Sequence, residues 1–450
     1  MLLRSNFCDK PTAAAAMLTV LLYSNLWIMG FAFTPATNPC HYQLSNLNRI
    51  LPQTNHDKDS SISLVGLNAA PQRLEENVDG VLYVNDKCIN CAACSSFAPS
   101  TFGRATDTAA HVVHTQPQLS KLDSSNDNTE LDEARAAMAA CPVAAIRVET
   151  EAFRHHRGMG SLANDEQELA QSLALSPKVN GLDLPFPRQA FAGMDDIHYV
   201  GYHNDRSFGA IPYLVQGMFR GEQVWVMVDT PRFTPQSVRT VTSLTGTTGP
   251  DYLFLTHVDD TADHGKWADE FPSLKRIFHS GDAFGRYNWI GDESLQNVEV
   301  FLSSSSSDNG GDDDTSCNTE LQTWSLDGSP TTETDTQASD FVIWHTPGHS
   351  PGSISLLKKT SRESKGVLFT GDTYAYTTRN GGQMSGFPLY NKGGRELQAQ
   401  ILQKIVDHSD RWDIIAPGHG HARDYRNQSE ELKRKELNDA IEGLTSSGRS

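Results

Sequence analysis

The sequence predicts an α+β chain made of two folded units joined end to end, a small cysteine-bearing unit and a larger sheet sandwich. Three observations carry that expectation. Cys88, Cys91, Cys94 and Cys141, the last followed by Pro142, have the spacing of a thiolate metal centre. From Ile197 onward the texture changes to short, continuous apolar runs separated by Gly, Pro and Asp, with strand length and β-branched or aromatic content. Most of these runs end at a His or an Asp, which collects polar side chains on one rim of a sandwich. Thiolates hold soft ions or iron–sulfur clusters, whereas imidazole and carboxylate hold a harder ion that activates water or oxygen. The chain therefore reads as two chemically opposite metal centres in series.

With 450 residues there is room for two or three units, each with its own core. The formal net charge of -18, with no clustered Lys/Arg stripe, repels phosphate backbones and argues against a nucleic-acid partner. An acidic surface suits a basic redox partner protein instead. Seven cysteines is an odd count, which argues against a closed disulfide framework and for a reducing compartment. Cys8, Cys40 and Cys317 fall in segments expected to be removed or disordered.

The elements follow in chain order. After Arg4 and Lys10, an apolar run from Ala13 to Phe33, interrupted by Ser24 and Asn25 and closing on Gly30 and Ala32, reads as a signal peptide over 1–32. The run is nearly long enough for a membrane anchor, but the polar pair and the small residues favour cleavage, leaving no stable anchor. Residues 33–72, rich in Ser, Thr, Asn and Pro, have transit-peptide composition. Together, with Phe33 in the context Gly30-Phe31-Ala32-Phe33-Thr34-Pro35, they resemble the bipartite presequence of algae with secondary plastids, which implies the plastid stroma. A small domain is expected over 73–150, with a strand at Val81–Val84, the cysteine loop, and a helix at Leu131–Ala140 leading into Cys141. A linker over 151–194 holds one helical stretch, Asp165–Leu175, and a Pro/Phe-rich breaker, Leu184–Arg188.

The sandwich is expected over 195–428, with strands at Val224–Val228, Tyr252–Leu255, Phe341–Trp344, Ser353–Leu357, Val367–Phe369 and Ile414–Ala416. The serine-, threonine- and aspartate-rich stretch 303–340 reads as a disordered surface insertion. Residues 429–450 form a charged helix and tail, the helix expected as a solvated face over Glu430–Glu442. No internal repeat stands out.

Cys88-Ile-Asn-Cys91-Ala-Ala-Cys94 with Cys141-Pro142 resembles a single-cluster bacterial-type ferredoxin, which implies a 4Fe-4S cluster on these four thiolates. The cysteine set of a second cluster is missing, so the loop from Ser95 to Thr129 has to substitute for it. Zinc on four cysteines is the alternative, though zinc sites usually present two separated pairs. The resemblance suits electron transfer and a purely structural cluster alike.

The second set comprises His257-Val-Asp259-Asp260-Thr-Ala-Asp263-His264, Thr346-Pro-Gly-His349, Gly371-Asp372-Thr and Pro417-Gly-His419-Gly. In this order the motifs resemble the metallo-β-lactamase superfamily, whose αββα sandwich holds two metals between its sheets. The resemblance implies that His257 and His349 bind the first ion, Asp372 bridges both, and His419 with the Asp263-His264 pair binds the second. The first motif departs from that family's usual pattern. Two extra residues precede Asp263, and Asp259, or else Asp260, stands where a histidine is usual. A carboxylate there shifts two divalent ions from zinc toward iron or manganese. Asp229, at the end of Val224–Val228, matches an aspartate that orients a ligand from behind. His155 and His156 read as linker residues, His279 and His345 as structural, and His203 or His421 as lining the mouth.

Two cations sharing a carboxylate acidify a bridging water and polarise a substrate oxygen, with Asp263 as the candidate catalytic residue orienting the hydroxide. The leading expectation is hydrolysis of a small-molecule ester or thioester. The other is an iron-dependent oxidoreductase in which the cluster relays electrons to a di-iron site. No phosphate-cradling loop for a flavin is visible, so external electrons would enter through the cluster.

Overall fold

The computed structural model describes residues 70–106, 110–119, 129–174, 184–304, 321–331, 339–360, 365–378 and 381–446. The expected signal peptide, nearly all of the transit segment, and Cys8, Cys40 and Cys317 lie outside them. Among the described residues no helix is long and apolar enough to cross a membrane.

The cysteine unit closes on an antiparallel pair, Leu82–Val84 with Ile146–Val148, drawn from its two ends. That pairing brings the loop bearing Cys88 to Cys94 beside Cys141. The segment from Ser95 to Thr129 is more structured than the expected loop. It contains the end of the helix Ala93–Phe97 and a hairpin, Phe102–Arg104 with His111–Val113, before the helix Thr129–Ala140 begins. Ala134, Ala136, Ala137 and Ala140 are buried on that helix, where side chains this small let it press against the short helix carrying Cys94. Val81, Leu82, Val84, Phe97, Phe102, Val113, Leu131 and Ile146 complete the core.

The linker expected over 151–194 is no free tether. Its helix Asn164–Ala174 buries Ala170 and Leu173 in the core of the cysteine unit, alongside Phe186. Arg188–Gln189 already forms the edge strand of the first large sheet, so the sandwich begins before residue 195.

That first sheet has seven strands in the order Val300–Leu302, Lys275–His279, Tyr252–Phe254, Glu222–Val228, Tyr213–Phe219, Ile197–Tyr199 and Arg188–Gln189. The second has six, Thr323–Trp324, Phe341–His345, Ile354–Lys358, Gly366–Gly371, Trp412–Pro417 and Arg423–Asp424. Their facing side chains, among them Val226, Phe254, Ile277, Ile343, Leu356, Phe369 and Ile414, form the central core. Helices Pro235–Thr245 and His264–Glu270 cover the outer face of the first sheet through Val241 and Trp267. Arg395–Asp407 and Glu430–Ser446 cover the second through Leu402, Ile405, Leu437 and Leu444. The layers are therefore αββα. Strands buried on both faces read as unbroken apolar runs, which is why Val367–Phe369 and Ile414–Ala416 were legible.

Two expectations are corrected here. The last helix is not simply a solvated face: Lys433, Leu437, Ala440 and Leu444 are buried, and the Lys433 ammonium lies 3.9 Å above the Trp412 ring while donating to the Ser409 carbonyl at 2.7 Å. Nor is 303–340 one disordered insertion. Thr323–Trp324 pairs with Ile343 and Trp344, and Trp324 and Leu326 are buried in the central core; 305–320 and 332–338 lie outside the described residues.

Candidate metal centres

Each of the four expected loops leaves a strand at the same rim. His257 follows Tyr252–Phe254, His349 follows Phe341–His345, Asp372 follows Gly366–Gly371, and His419 follows Trp412–Pro417. Their donor atoms converge as two groups, His257 with Asp259 and His349, and Asp260 with Asp372 and His419. In the first group, His257 Nε2 and His349 Nε2 each lie 3.8 Å from Asp259 Oδ2. In the second, His419 Nδ1 is 2.8 Å from Asp372 Oδ1 and 3.9 Å from Asp260 Oδ2. Asp372 turns its other oxygen toward the first group, 3.9 Å from His257 Nε2 and 3.8 Å from His349 Nε2. One carboxylate thus spans both groups.

The donors fit cations. His257 Nε2, both ring nitrogens of His349, both oxygens of Asp260 and His419 Nε2 are buried without a hydrogen-bond partner. Buried polar atoms are almost always paired, and a cluster of orphans on converging loops is what a ligand set looks like. The surroundings hold these atoms in place. Thr256 donates its N–H and hydroxyl to Asp229 at 2.9 and 3.1 Å, and its oxygen lies 3.0 Å from His257 Nδ1. With the hydroxyl proton committed to Asp229, Nδ1 is the donor to Thr256 and Nε2 is left as a bare lone pair. Asp282 accepts from Val258 N–H at 3.2 Å, the Ser350 hydroxyl at 2.5 Å and Gly352 N–H at 2.6 Å, tying the His257 loop to the His349 loop. The Trp289 indole donates to Asp259.

Electrostatics agree with this arrangement. Burial pushes Asp229 up to about 7 and Asp282 up to about 6, and Asp260 well above the carboxylate range. Burial also disfavours charge on Asp372 and His419, yet their mutual attraction outweighs it. Asp372 is held below the ordinary range, and His419 rises to about 10 under Asp372 and Asp260. Without a metal the second group keeps a proton on His419; a cation would displace it. His257 falls to about 4 through burial and its neighbour His349, so it is neutral and ready to ligate.

Asp263 and His264 do not join the second group, contrary to expectation. The chain makes a tight turn over Val258–Asp260 that directs the two adjacent acids to different groups, Asp259 to the first and Asp260 to the second. The extra residues then carry Asp263, at φ 65°, to the start of the next helix. Its carboxylate accepts from Asn204 at 2.8 Å and Phe233 N–H at 3.1 Å, and pairs with Lys266 at 2.8 Å and with Arg206. So occupied, it is not placed to orient a hydroxide. His264 bonds Asp292 at 3.1 Å and Arg276 at 3.2 Å. Asp260 was weighed only as a substitute for Asp259. Two consecutive acids on a 3₁₀ turn, pointing about 120° apart, were the available signal that both are used.

In the other unit, Cys88, Cys91, Cys94 and Cys141 line one cavity together with His111, Val84, Ile89 and Ile146. Left-handed residues at Asn90 and Ala92 let the loop wrap around it. Backbone N–H groups of Asn90 and His111 point at Cys88 Sγ, each at 3.4 Å, and that of Ala145 at Cys141 Sγ, at 3.2 Å. Burial pushes the Cys91 thiol up to about 12 and also raises Cys94 well above the ordinary thiol range. Thiolates packed this way need a cationic core, and donors aimed at sulfur suit the iron–sulfur cage expected from the sequence.

The two centres abut. A Cβ added to Gly209 would sit 2.6 Å from Cys91 Cβ and 2.9 Å from its sulfur. Ser95 Oγ, on the residue after Cys94, lies 3.4 Å from His421 Nε2, and Ser96 Oγ donates to the Gly420 carbonyl at 3.4 Å. Arg232 donates to the Pro142 carbonyl at 2.9 Å, and Phe97 meets Phe186, Tyr199 and His203 edge-on. His203 donates from Nδ1 to the Gly209 carbonyl at 2.9 Å, while its Nε2 is buried and unpartnered. His279 and His345 stack with ring centres 4.2 Å apart, outside both groups.

Compared with known proteins, residues 84–148 match the family described as the 4Fe-4S single cluster domain of Ferredoxin I. No curated protein matches the chain. Among solved structures it is similar to the DIM-1 metallo-β-lactamase, at 13% identity and TM-score 0.35, over 56% of this chain and 94% of that one. An archaeal metallo-β-lactamase superfamily protein from Sulfolobus tokodaii matches at 18% identity and TM-score 0.29, over 53% and 93%. The flavodiiron protein from Giardia intestinalis matches at 12% identity and TM-score 0.34, over 57% and 61%. The stretch that matches the single-cluster 4Fe-4S family model thus precedes the αββα sandwich in the chain.

Proposed function

We propose that this chain is an oxidoreductase in which a 4Fe-4S cluster exchanges electrons with a pair of metal ions at the sandwich rim. The observation that carries the reading is the direct packing of the cysteine loop on the loop that supplies His419, through Ser95 against His421 and Ser96 against the Gly420 carbonyl. Cys94 is followed by Ser95, and His421 lies two residues beyond His419, so a nearly continuous covalent path with one hydrogen bond joins the two ligand sets.

His257, Asp259 and His349 would hold one ion, and Asp260 and His419 the other, with Asp372 between them. When bound, such a pair supplies one-electron chemistry and Lewis acidity toward a small oxygen-, nitrogen- or sulfur-bearing substrate. The residues themselves do the rest. Asp229 and Thr256 fix the tautomer of His257, Asp282 holds two loops in register, and the mixture of three carboxylates with three imidazoles favours iron or manganese over zinc. A basic protein would be the external electron donor to a surface of net charge -18.

The test is anaerobic. The chain is purified, its metals are counted, the cluster is reduced, and its reoxidation is followed on mixing with oxygen, nitric oxide or a persulfide. The reading expects iron in both centres and rapid reoxidation that slows at least tenfold in Asp372→Ser with the cluster intact. Zinc at the rim, with equal reoxidation in both proteins, would overturn it in favour of ester or thioester hydrolysis.

A further inference from the structure

His111 is the one side chain in the wall of the cysteine cavity, apart from the thiols, that carries a polar group. It is 3% exposed, yet neither ring nitrogen has a hydrogen-bond partner. A neutral imidazole carries one N–H and one lone pair, and leaving the N–H unmatched in a buried site is unfavourable. Around it the cavity offers Val84, Ile89, Val143, Ala145 and Ile146, none of which accepts a hydrogen bond from its side chain, and four cysteine sulfurs, which do.

The backbone places the ring there deliberately. His111 opens the second strand of the hairpin pairing Phe102–Arg104 with His111–Val113, and its own N–H already points at Cys88 Sγ from 3.4 Å. The backbone N–H thus points at the sulfur-lined space whose wall His111 shares. We propose that His111 donates its ring N–H to a sulfur of the cluster bound by Cys88, Cys91, Cys94 and Cys141, and so sets the cluster's reduction potential.

The physics has a definite sign. One-electron reduction adds negative charge to the sulfurs, a hydrogen bond to sulfur stabilises that charge, and the potential rises. His111 is thus a positioning residue for the cluster's charge, whatever the sandwich does with the electron.

The experiment uses the full chain with its cluster, purified anaerobically as wild type, His111→Leu and His111→Gln. Iron and sulfide content and the visible spectrum establish cluster occupancy, and a redox titration followed by electron paramagnetic resonance gives each midpoint. With loading equal, the leucine variant shifts to a more negative potential and the glutamine variant, which restores an N–H, recovers most of the shift. Equal midpoints in wild type and leucine variant would overturn the proposal. Should the leucine variant fail to load, pulsed resonance on the reduced wild type labelled with 15N-histidine decides. A nitrogen coupling that vanishes in His111→Gln supports the bond, and no coupling in wild type refutes it.

Discussion

Asp260 and Asp263 stand three residues apart and have opposite surroundings, and metal content separates their roles. Asp260 is buried with both oxygens unpartnered, whereas Asp263 is saturated by Asn204, Phe233, Lys266 and Arg206. We predict that Asp260→Ala loses about half of the metal bound at the rim, while Asp263→Asn keeps all of it, read by elemental analysis against protein concentration. The stacked pair His279 and His345 makes a separate prediction. Burial lowers them to about 3 and about 4, against an unfolded value of about 6.5. Below pH 6.5 the unfolded chain therefore binds more protons than the folded one, and stability falls as pH drops toward 4. Replacing both with Phe should flatten the fall of Tm over that window. At this scale the sequence revealed identities better than directions. His257, His349, Asp372 and His419 were legible because each ends an apolar run, but no local pattern shows that Asp263 turns left-handed and leaves the site.

Strands and loops explain what could be read and what could not. Strands buried on both faces advertise themselves as apolar runs, and six of them were found to within a residue or two, whereas Tyr213–Phe219 and Lys275–His279, also buried on both faces, were not read as strands. The hairpin carrying His111 was not, because its second strand is three residues long and pairs only within the unit. Nor was the edge strand Arg188–Gln189, which follows a proline-rich stretch and has a polar sequence. The contact between loops at Gly209 makes its own prediction. Its φ is 86° and its Cα meets the Cys91 side chain, so any Cβ both strains the backbone and drives the two loops apart. Gly209→Val should lower cluster occupancy or make the cluster more accessible to chelators, measured as the rate of visible bleaching with bipyridyl. Gly221, also at positive φ but with open space around it, is the control that should bleach at the wild-type rate when changed to Ala.

Across the whole molecule, the sandwich is completed by its last helix. Leu437 is fully buried between that helix and Arg395–Asp407, so Leu437→Ala should cost about 2–5 kcal/mol, seen as a lower denaturant midpoint. Metal removal acts at the same scale by a different route. Four loops from distant parts of the chain bring their donor groups together and would be tied to one another by bound metal, so chelation should lower Tm, and re-adding metal should raise it in proportion to the logarithm of its free concentration.

The abutting loops also constrain biogenesis. The loops that line the cysteine cavity are backed from outside by the sandwich, with Gly209 against the Cys91 side chain and Arg232 donating to the Pro142 carbonyl. Loss of the cluster would therefore be felt across that seam, and a cell starved of iron or sulfide should accumulate chains in which the sandwich has lost part of its support there.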